Sequence, residues 1–413
     1  MSLNYDVIVC GGGPSGATAA LKAAQAGLRV ALIEKQRLPR HKPCGGGMPL
    51  RVGQWLPGGI PEGVVETSVR YLYHTWKFQQ GHLGAVCRQG MAGASQGSSL
   101  DLWMVQRPQF DNALVRQAEA AGVTVCDGLV VRSLALDEQG VTVQASELGA
   151  ARQTTWRGRS RHLIGADGAN GVVAKAVNLR SRRRLAFALE TELPHTWDAR
   201  HPHLRPDVAH LDYGAVSRGY GWIFPKGDSL NIGAGVFYPP RGKQGNFRRL
   251  RQELEQVIKG YCSQFQLNPQ GDSYPLYAHP LPLWQGREPR QTSKGQVLLV
   301  GDAAGLVNPF FGDGILHGIK SGVIAAEAIA TGQAHQYSRR LHQEVALNFD
   351  AARLLAGFFY RFPHWCFTHV VQRPDGTEVA ARLLAGDLTF SQVSGRFATY
   401  VGRSIMRGPM RGV

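Results

Sequence analysis

The sequence predicts an α/β fold, with a parallel-sheet N-terminal domain, an inserted antiparallel β-sheet domain and a helical C-terminal tail. Three observations carry this expectation. Residues 5–10 (YDVIVC), a glycine-rich turn, a small-residue helix over Ala17–Ala26 and the run Arg29–Glu34 (RVALIE) make a strand–helix–strand unit. Between about 181 and 290 the chain turns aromatic-rich, with alternating strand-like stretches. A buried-strand pattern returns at 296–301 (QVLLVG), before a helix over Gly314–Thr331 and a mainly helical tail from about 340.

The remaining elements follow in order. Residues 51–100 show little regular pattern, and Gly90–Ser99 reads as a mobile loop. Residues 108–121 (PQFDNALVRQAEAA) form an amphipathic helix, with Pro108 near its start and Gly122 after its end. Strand-like runs occupy 123–126, 129–134 and 141–145, and Leu163–Asp167 is a buried strand ending in a turn. One charged helix is expected at 246–260. These give a nucleotide-binding domain in three parts (1–70, 101–180, 291–340). The substrate domain takes 71–100 and 181–290, and the helical region 341–413.

Composition narrows the function. The chain of 413 residues is 43% hydrophobic, enough for a sizeable core. Its 46 basic and 30 acidic residues give +16, which suits an anionic partner such as a lipid head group or a phosphorylated substrate. The densest basic run is Arg180, Arg182, Arg183 and Arg184; without interleaved aromatics, nucleic acid is not expected as a partner. The six cysteines (10, 44, 87, 126, 262, 366) contain no CxxC, so no metal site is expected. No signal peptide or transmembrane run stands out; Leu354–Val371 comes closest and is interrupted by Arg361, Pro363, His364 and His369. The expected location is cytoplasmic, with peripheral contact to an anionic membrane.

The motifs carry the chemistry. Gly11-Gly12-Gly13-Pro14-Ser15-Gly16 is a GxGxxG between strand and helix, and Glu34 ends the second strand 21 residues after Gly13. Gly11 permits the tight turn, Gly13 the approach of a pyrophosphate, and Gly16 close helix–strand packing. Glu34 would accept from ribose hydroxyls, with Lys35 beside it. Two later glycine–acid turns favour FAD over NAD. Gly165-Ala166-Asp167-Gly168 is one; the other is Gly301-Asp302-Ala303-Ala304-Gly305, followed by Gly312-Asp313-Gly314-Ile315. Asp302 could hold a ribityl hydroxyl, and the helix opening at Gly314 could face a flavin that gains negative charge on reduction.

These motifs together resemble the p-hydroxybenzoate-hydroxylase-like flavoproteins, and more narrowly the geranylgeranyl reductase family. The narrower likeness rests on Lys42-Pro43-Cys44-Gly45-Gly46-Gly47, on Tyr220-Gly221-Trp222-Ile223-Phe224-Pro225 with Gly233-Ala234-Gly235, and on Gly301 through Ile315. Asp313 stands where the family often has Glu. The resemblance implies a Rossmann-type FAD-binding domain with cofactor contacts at Ser15, Glu34, Cys44, Gly45, Gly47, Arg107, Val130, Asp302, Gly314 and Ile315. Arg107 could grip the pyrophosphate as a charged fork.

Tyr220, Trp222 and Phe224 share one strand face and could form an aromatic wall for an apolar substrate. Cys44, beside the flavin, could assist protonation or position substrate. The expected reaction is reduction of carbon–carbon double bonds in a polyprenyl (geranylgeranyl) chain, with hydride from N5 of reduced FAD and protonation of the alkene. Tyr220 and Trp222 would stabilise cationic character. The electron donor is expected to be NADPH or reduced ferredoxin. Two alternatives use the same motifs: a flavin monooxygenase or halogenase, and a flavoprotein passing electrons to quinone. Halogenases carry a related WxWxIP segment, from which this chain departs at Tyr220 and Phe224.

Overall fold

The computed structural model describes residues 3–87, 100–149, 155–180, 183–198, 201–238, 247–267 and 274–395. Its first sheet is built on Leu3–Cys10, which lies parallel between Val30–Glu34 and Trp156–Gly165. Thr124–Asp127 extends it parallel on one side, and Val297–Leu299 runs parallel to the end of Trp156–Gly165. Gly140–Glu147 and Leu129–Asp137 finish the other side antiparallel. Val7–Cys10, Val30–Glu34, Leu163–Gly165 and Val297–Leu299 are buried, as parallel strands covered on both faces must be. Helices Pro14–Gln25 and Ile315–Ala330 pack closely, because Gly322 lets one backbone approach the carbonyl of Ser15; a Cβ there would lie 2.4 Å from that oxygen.

The second sheet has the order Tyr277–Pro282, Leu185–Pro194, Ser229–Val236, Gly219–Pro225, Val208–Tyr213, Tyr71–Trp76, Gln79–Ala85. All neighbours are antiparallel except Val208–Tyr213 with Tyr71–Trp76. Helix Phe247–Gln264 covers one face, setting Leu254, Val257, Ile258 and Tyr261 against Ile223, Leu230 and Ile232. The other face turns toward the first domain and the C-terminal helices Tyr337–Phe359 and Gly376–Ala385.

Residues 51–100 are more regular than expected. They contain the strands Val65–Val69, Tyr71–Trp76 and Gln79–Ala85. Gln79–Ala85 lies at the sheet edge and is largely exposed, so it carries little apolar alternation. Its hairpin turns at Lys77 and Phe78, both at positive φ, without the Gly or Asn that usually marks such a turn. The basic run also differs. Arg180 is buried, and its Nη1 donates to the carbonyls of Asp302 and Ala303 at 3.0 and 2.8 Å, so it braces a turn rather than facing solvent. Gly90–Ser99 and Arg182 lie outside the described residues. No helix among the described residues is long and apolar enough to cross a membrane.

Candidate active site

A cavity of about 960 Å³ runs between the two sheets and under the C-terminal helices. That is near the upper end of the roughly 300–1,000 Å³ range of small-molecule sites. At its polar end it is lined by Gly11, Gly13, Ser15, Glu34, Lys35, Val130, Asp167, Asp302, Gly312, Gly314 and Ile315. Gly16 lies just behind the wall, where a Cβ would sit 1.9 Å from the Gly11 carbonyl oxygen.

Gly11 shows why the first turn needs glycine: its φ is +112°, and a Cβ would meet the Ala166 carbonyl oxygen at 2.2 Å. Glu34 accepts from the Gly12 and Gln36 N–H groups at 2.8 and 3.1 Å. Arg40, unflagged in the sequence, is buried and reaches both Glu34 (3.3 Å) and Asp111 (3.0 Å). Arg107 is bidentate to Asp111 at 2.7 and 2.8 Å, and its guanidinium also lies beside the Cys44 thiol. Its fork therefore closes on a protein carboxylate.

The donor set fits FAD. Helices Pro14–Gln25 and Ile315–Ala330 both open onto the cavity with no side-chain cap, leaving N–H groups and positive dipole ends for phosphate and for a reduced flavin. One carboxylate oxygen of Asp167, on the cavity wall, is buried without a hydrogen-bond partner among the described residues. Deeper in, Lys42 Nζ lies 2.8 Å from His279 Nε2, which is 3.6 Å from an Asp302 oxygen. Burial pulls Lys42 and His279 below their ordinary values. Burial pushes the other way on Asp302, but His279, Lys42 and Arg107 hold it below the usual carboxylate range.

The KPCGGG loop and the aromatic strand meet here. A Cβ on Gly45 would lie 2.6 Å from the Phe224 ring, so only a bare backbone passes so close to the wall. Tyr220, Trp222 and Phe224 form a ladder on the cavity face, with ring centroids 5.9 and 6.0 Å apart. The Tyr220 hydroxyl donates to the Phe311 carbonyl at 2.5 Å, tying the wall to the 309–314 turn. Strand register places Tyr277, Glu190, Gly233, Trp222, Leu211 and His74 opposite one another across the sheet. All but Gly233 line the cavity; Gly233 leaves room for the Trp222 indole, which would lie 2.2 Å from a Cβ there.

Beyond the ladder the lining becomes apolar: Leu72, Leu211, Phe359, Val379, Leu383, Leu384 and Phe390. Several come from the helical tail, which carried no motif. Glu190, Arg40 and His74 were likewise missed. For Glu190 a signal existed, an acid within the otherwise apolar run AFALETEL.

Fold and site together define an FAD-dependent oxidoreductase. The FAD binding domain family model matches residues 4–344. A geranylgeranyl diphosphate reductase of Rhodobacter capsulatus is 32% identical over 330 residues, 79% of this chain and 75% of that protein. The chain belongs to the geranylgeranyl reductase family of these enzymes. Two solved structures share the fold. One is a geranylgeranyl bacteriochlorophyll reductase-like protein of Thermoplasma acidophilum (TM-score 0.72, 20% identity, 95% of this chain and 94% of that one). The other is the flavin-dependent brominase Bmp2 (TM-score 0.72, 19% identity, 98% and 100%).

Proposed function

We propose that the protein reduces carbon–carbon double bonds of a polyprenyl chain of the geranylgeranyl type. The observation that carries this reading is the continuity of the cavity, from two uncapped helix N-termini, past Cys44 and the aromatic ladder, into a long apolar pocket. Reduced FAD is a hydride source for such chemistry. The chain's own residues do the rest. Gly11, Gly13, Ser15, Glu34, Lys35, Val130, Asp302, Gly312, Gly314 and Ile315 hold the cofactor, with Gly16 shaping the turn. Arg107 acts through Asp111 and Cys44. Cys44, Gly45 and Gly47 bring the loop against the wall. Tyr220, Trp222 and Phe224 bind the chain and present π-faces to a carbon that becomes electron-poor. The apolar walls exclude water.

The name of the Rhodobacter relative supports this substrate class. The brominase shares the fold, and fold alone does not assign chemistry. The test is to reduce the protein with dithionite, add geranylgeranyl diphosphate and seek products heavier by pairs of hydrogens. Oxygen or halide incorporation instead would establish the monooxygenase or halogenase reading. Reoxidation only by quinone would establish the third.

NADPH and reduced ferredoxin are the donors to compare. We also place the enzyme in the cytoplasm at an anionic membrane surface. Leu347, Leu354 and Phe362 are exposed on or just beyond one C-terminal helix, and Arg353 and Arg361 stand among them. Failure to float with anionic liposomes at low salt would remove this part.

A further inference from the structure

Glu190 is a buried carboxyl group on the cavity wall to which the reading above gives no role. It lies on Leu185–Pro194, with its Cα opposite Gly233, and Gly233 is in turn opposite Trp222. Residues paired in this way point to the same face. Since Gly233 has no side chain, the Trp222 indole lies over it, toward the strand that carries Glu190. Glu190 Oε1 accepts from the Cys44 N–H at 2.5 Å, so the KPCGGG loop fixes its position.

We propose that Glu190 supplies the proton that the alkene takes up. The inference rests on the prenyl-reduction reading. The Glu190 O–H bond breaks as the alkene π pair forms a C–H bond. The other alkene carbon, left electron-poor beside Trp222, takes hydride from reduced FAD, which ends oxidised. Glu190 ends as carboxylate and regains its proton from water. Two other candidates are engaged elsewhere: the Tyr220 hydroxyl donates to Phe311, and the Cys44 thiol lies against Arg107. Cys44 is then a positioning residue, acting through its N–H.

The surroundings suit a proton-carrying carboxyl. Burial raises it to about 7, with Glu192 adding to the rise, while Lys226, the Cys44 N–H and Asn231 pull it down. Lys226 is itself paired with Glu192. Tyr277 stands opposite on the next strand, with the His41 ring tilted against its ring, centroids 4.3 Å apart. At neutral pH Glu190 thus holds its proton in a large fraction of molecules.

The experiment uses the FAD-loaded enzyme and Glu190→Gln. Infrared difference spectra between pH 6 and 9 should show a protonated-carboxyl band that disappears with a midpoint near 7, and that Glu190→Gln lacks. In single turnover of dithionite-reduced enzyme with geranylgeranyl diphosphate, Glu190→Gln should be slower by about 10²–10⁴-fold, the usual range for general acid catalysis. Bound FAD and its absorbance should be unchanged. The wild-type rate should fall above pH 7. A wild-type rate in the variant, or no such band, would overturn the proposal. If Glu190→Gln loses FAD, Glu190→Asp decides: it should retain the acid with a shifted band and pH profile, and an unshifted band would count against Glu190. If wild-type enzyme reduces no prenyl chain, the functional reading fails, while the band still reports whether Glu190 carries the proton.

Discussion

At its dinucleotide end the cavity wall is organised by backbone, the Gly11–Gly16 turn, the Gly312–Ile315 turn and two helix N-termini, with Glu34, Asp167 and Asp302 set between them. At its apolar end the wall is side chains from three separate regions: Leu72 near the front of the chain, the ladder strand, and helices beyond residue 337. The difference teaches where tolerance lies. A backbone wall fails when a single Cβ appears; a side-chain wall can be recontoured without loss of the fold.

The sharpest way to break this comparison is Gly11→Ala. Its Cβ would collide with a carbonyl oxygen at positive φ, so purified protein should lose essentially all bound FAD by absorbance. Retention of stoichiometric FAD would show the turn is softer than its geometry implies. Arg40→Ala comes next. It removes the cation shared by the buried carboxylates of Glu34 and Asp111. Asp111 keeps Arg107 and Glu34 keeps its two N–H donors, so the cost should stay at or below about 3 kcal/mol, the low end for breaking a buried pair, visible as a lower denaturation midpoint.

At the apolar end, Trp222→Leu should keep FAD but slow prenyl reduction about 30-fold, the equivalent of ~2 kcal/mol from a desolvated cation–π contact. An unchanged rate would remove the aromatic wall from the chemistry.

Acid should separate the ends in another way. Burial, with His82 nearby, holds His74 down to about 3 from 6.5, so folded His74 stays neutral while the unfolded chain takes up a proton. Stability from this group is complete above about pH 6.5 and is lost as pH falls toward 3. His74→Gln, which can keep the contact to Thr377, should flatten the drop in melting temperature between pH 6.5 and 4. Equal slopes in both proteins would place acid sensitivity elsewhere. The smallest effect belongs to Leu354→Glu. It should change stability by less than about 0.5 kcal/mol, since the side chain is exposed, yet weaken flotation with anionic liposomes.

Much of the fold was legible. The first strand, its helix and Glu34 followed from hydrophobic period and turn chemistry, and so did the 107–120 helix and the return to a buried strand near 297. The hairpin at 71–85 was not legible, because its turn uses Lys77 and Phe78 and its outer strand is half in water. In the site, glycine-based positions were readable because backbone geometry forces a residue type. The Arg40–Asp111 pair, the Lys42–His279–Asp302 group and the Cys44–Glu190 contact were not, because these partners lie far apart along the chain.

A dinucleotide site in a parallel-sheet domain was written in the sequence, since a glycine turn before a helix and an acid ending the next strand are local requirements of binding a pyrophosphate and ribose; the later glycine–acid turns at 165–168 and 301–315 pointed to FAD. Only the tertiary structure decided what surrounds the reaction. It brought Cys44 against Glu190, 146 residues away, laid Trp222 over Gly233 and closed the cavity with the helical tail. The physical reason is that hydrophobic burial and the pairing of buried charges are indifferent to sequence distance, so their partners are fixed only when the sheets and helices pack.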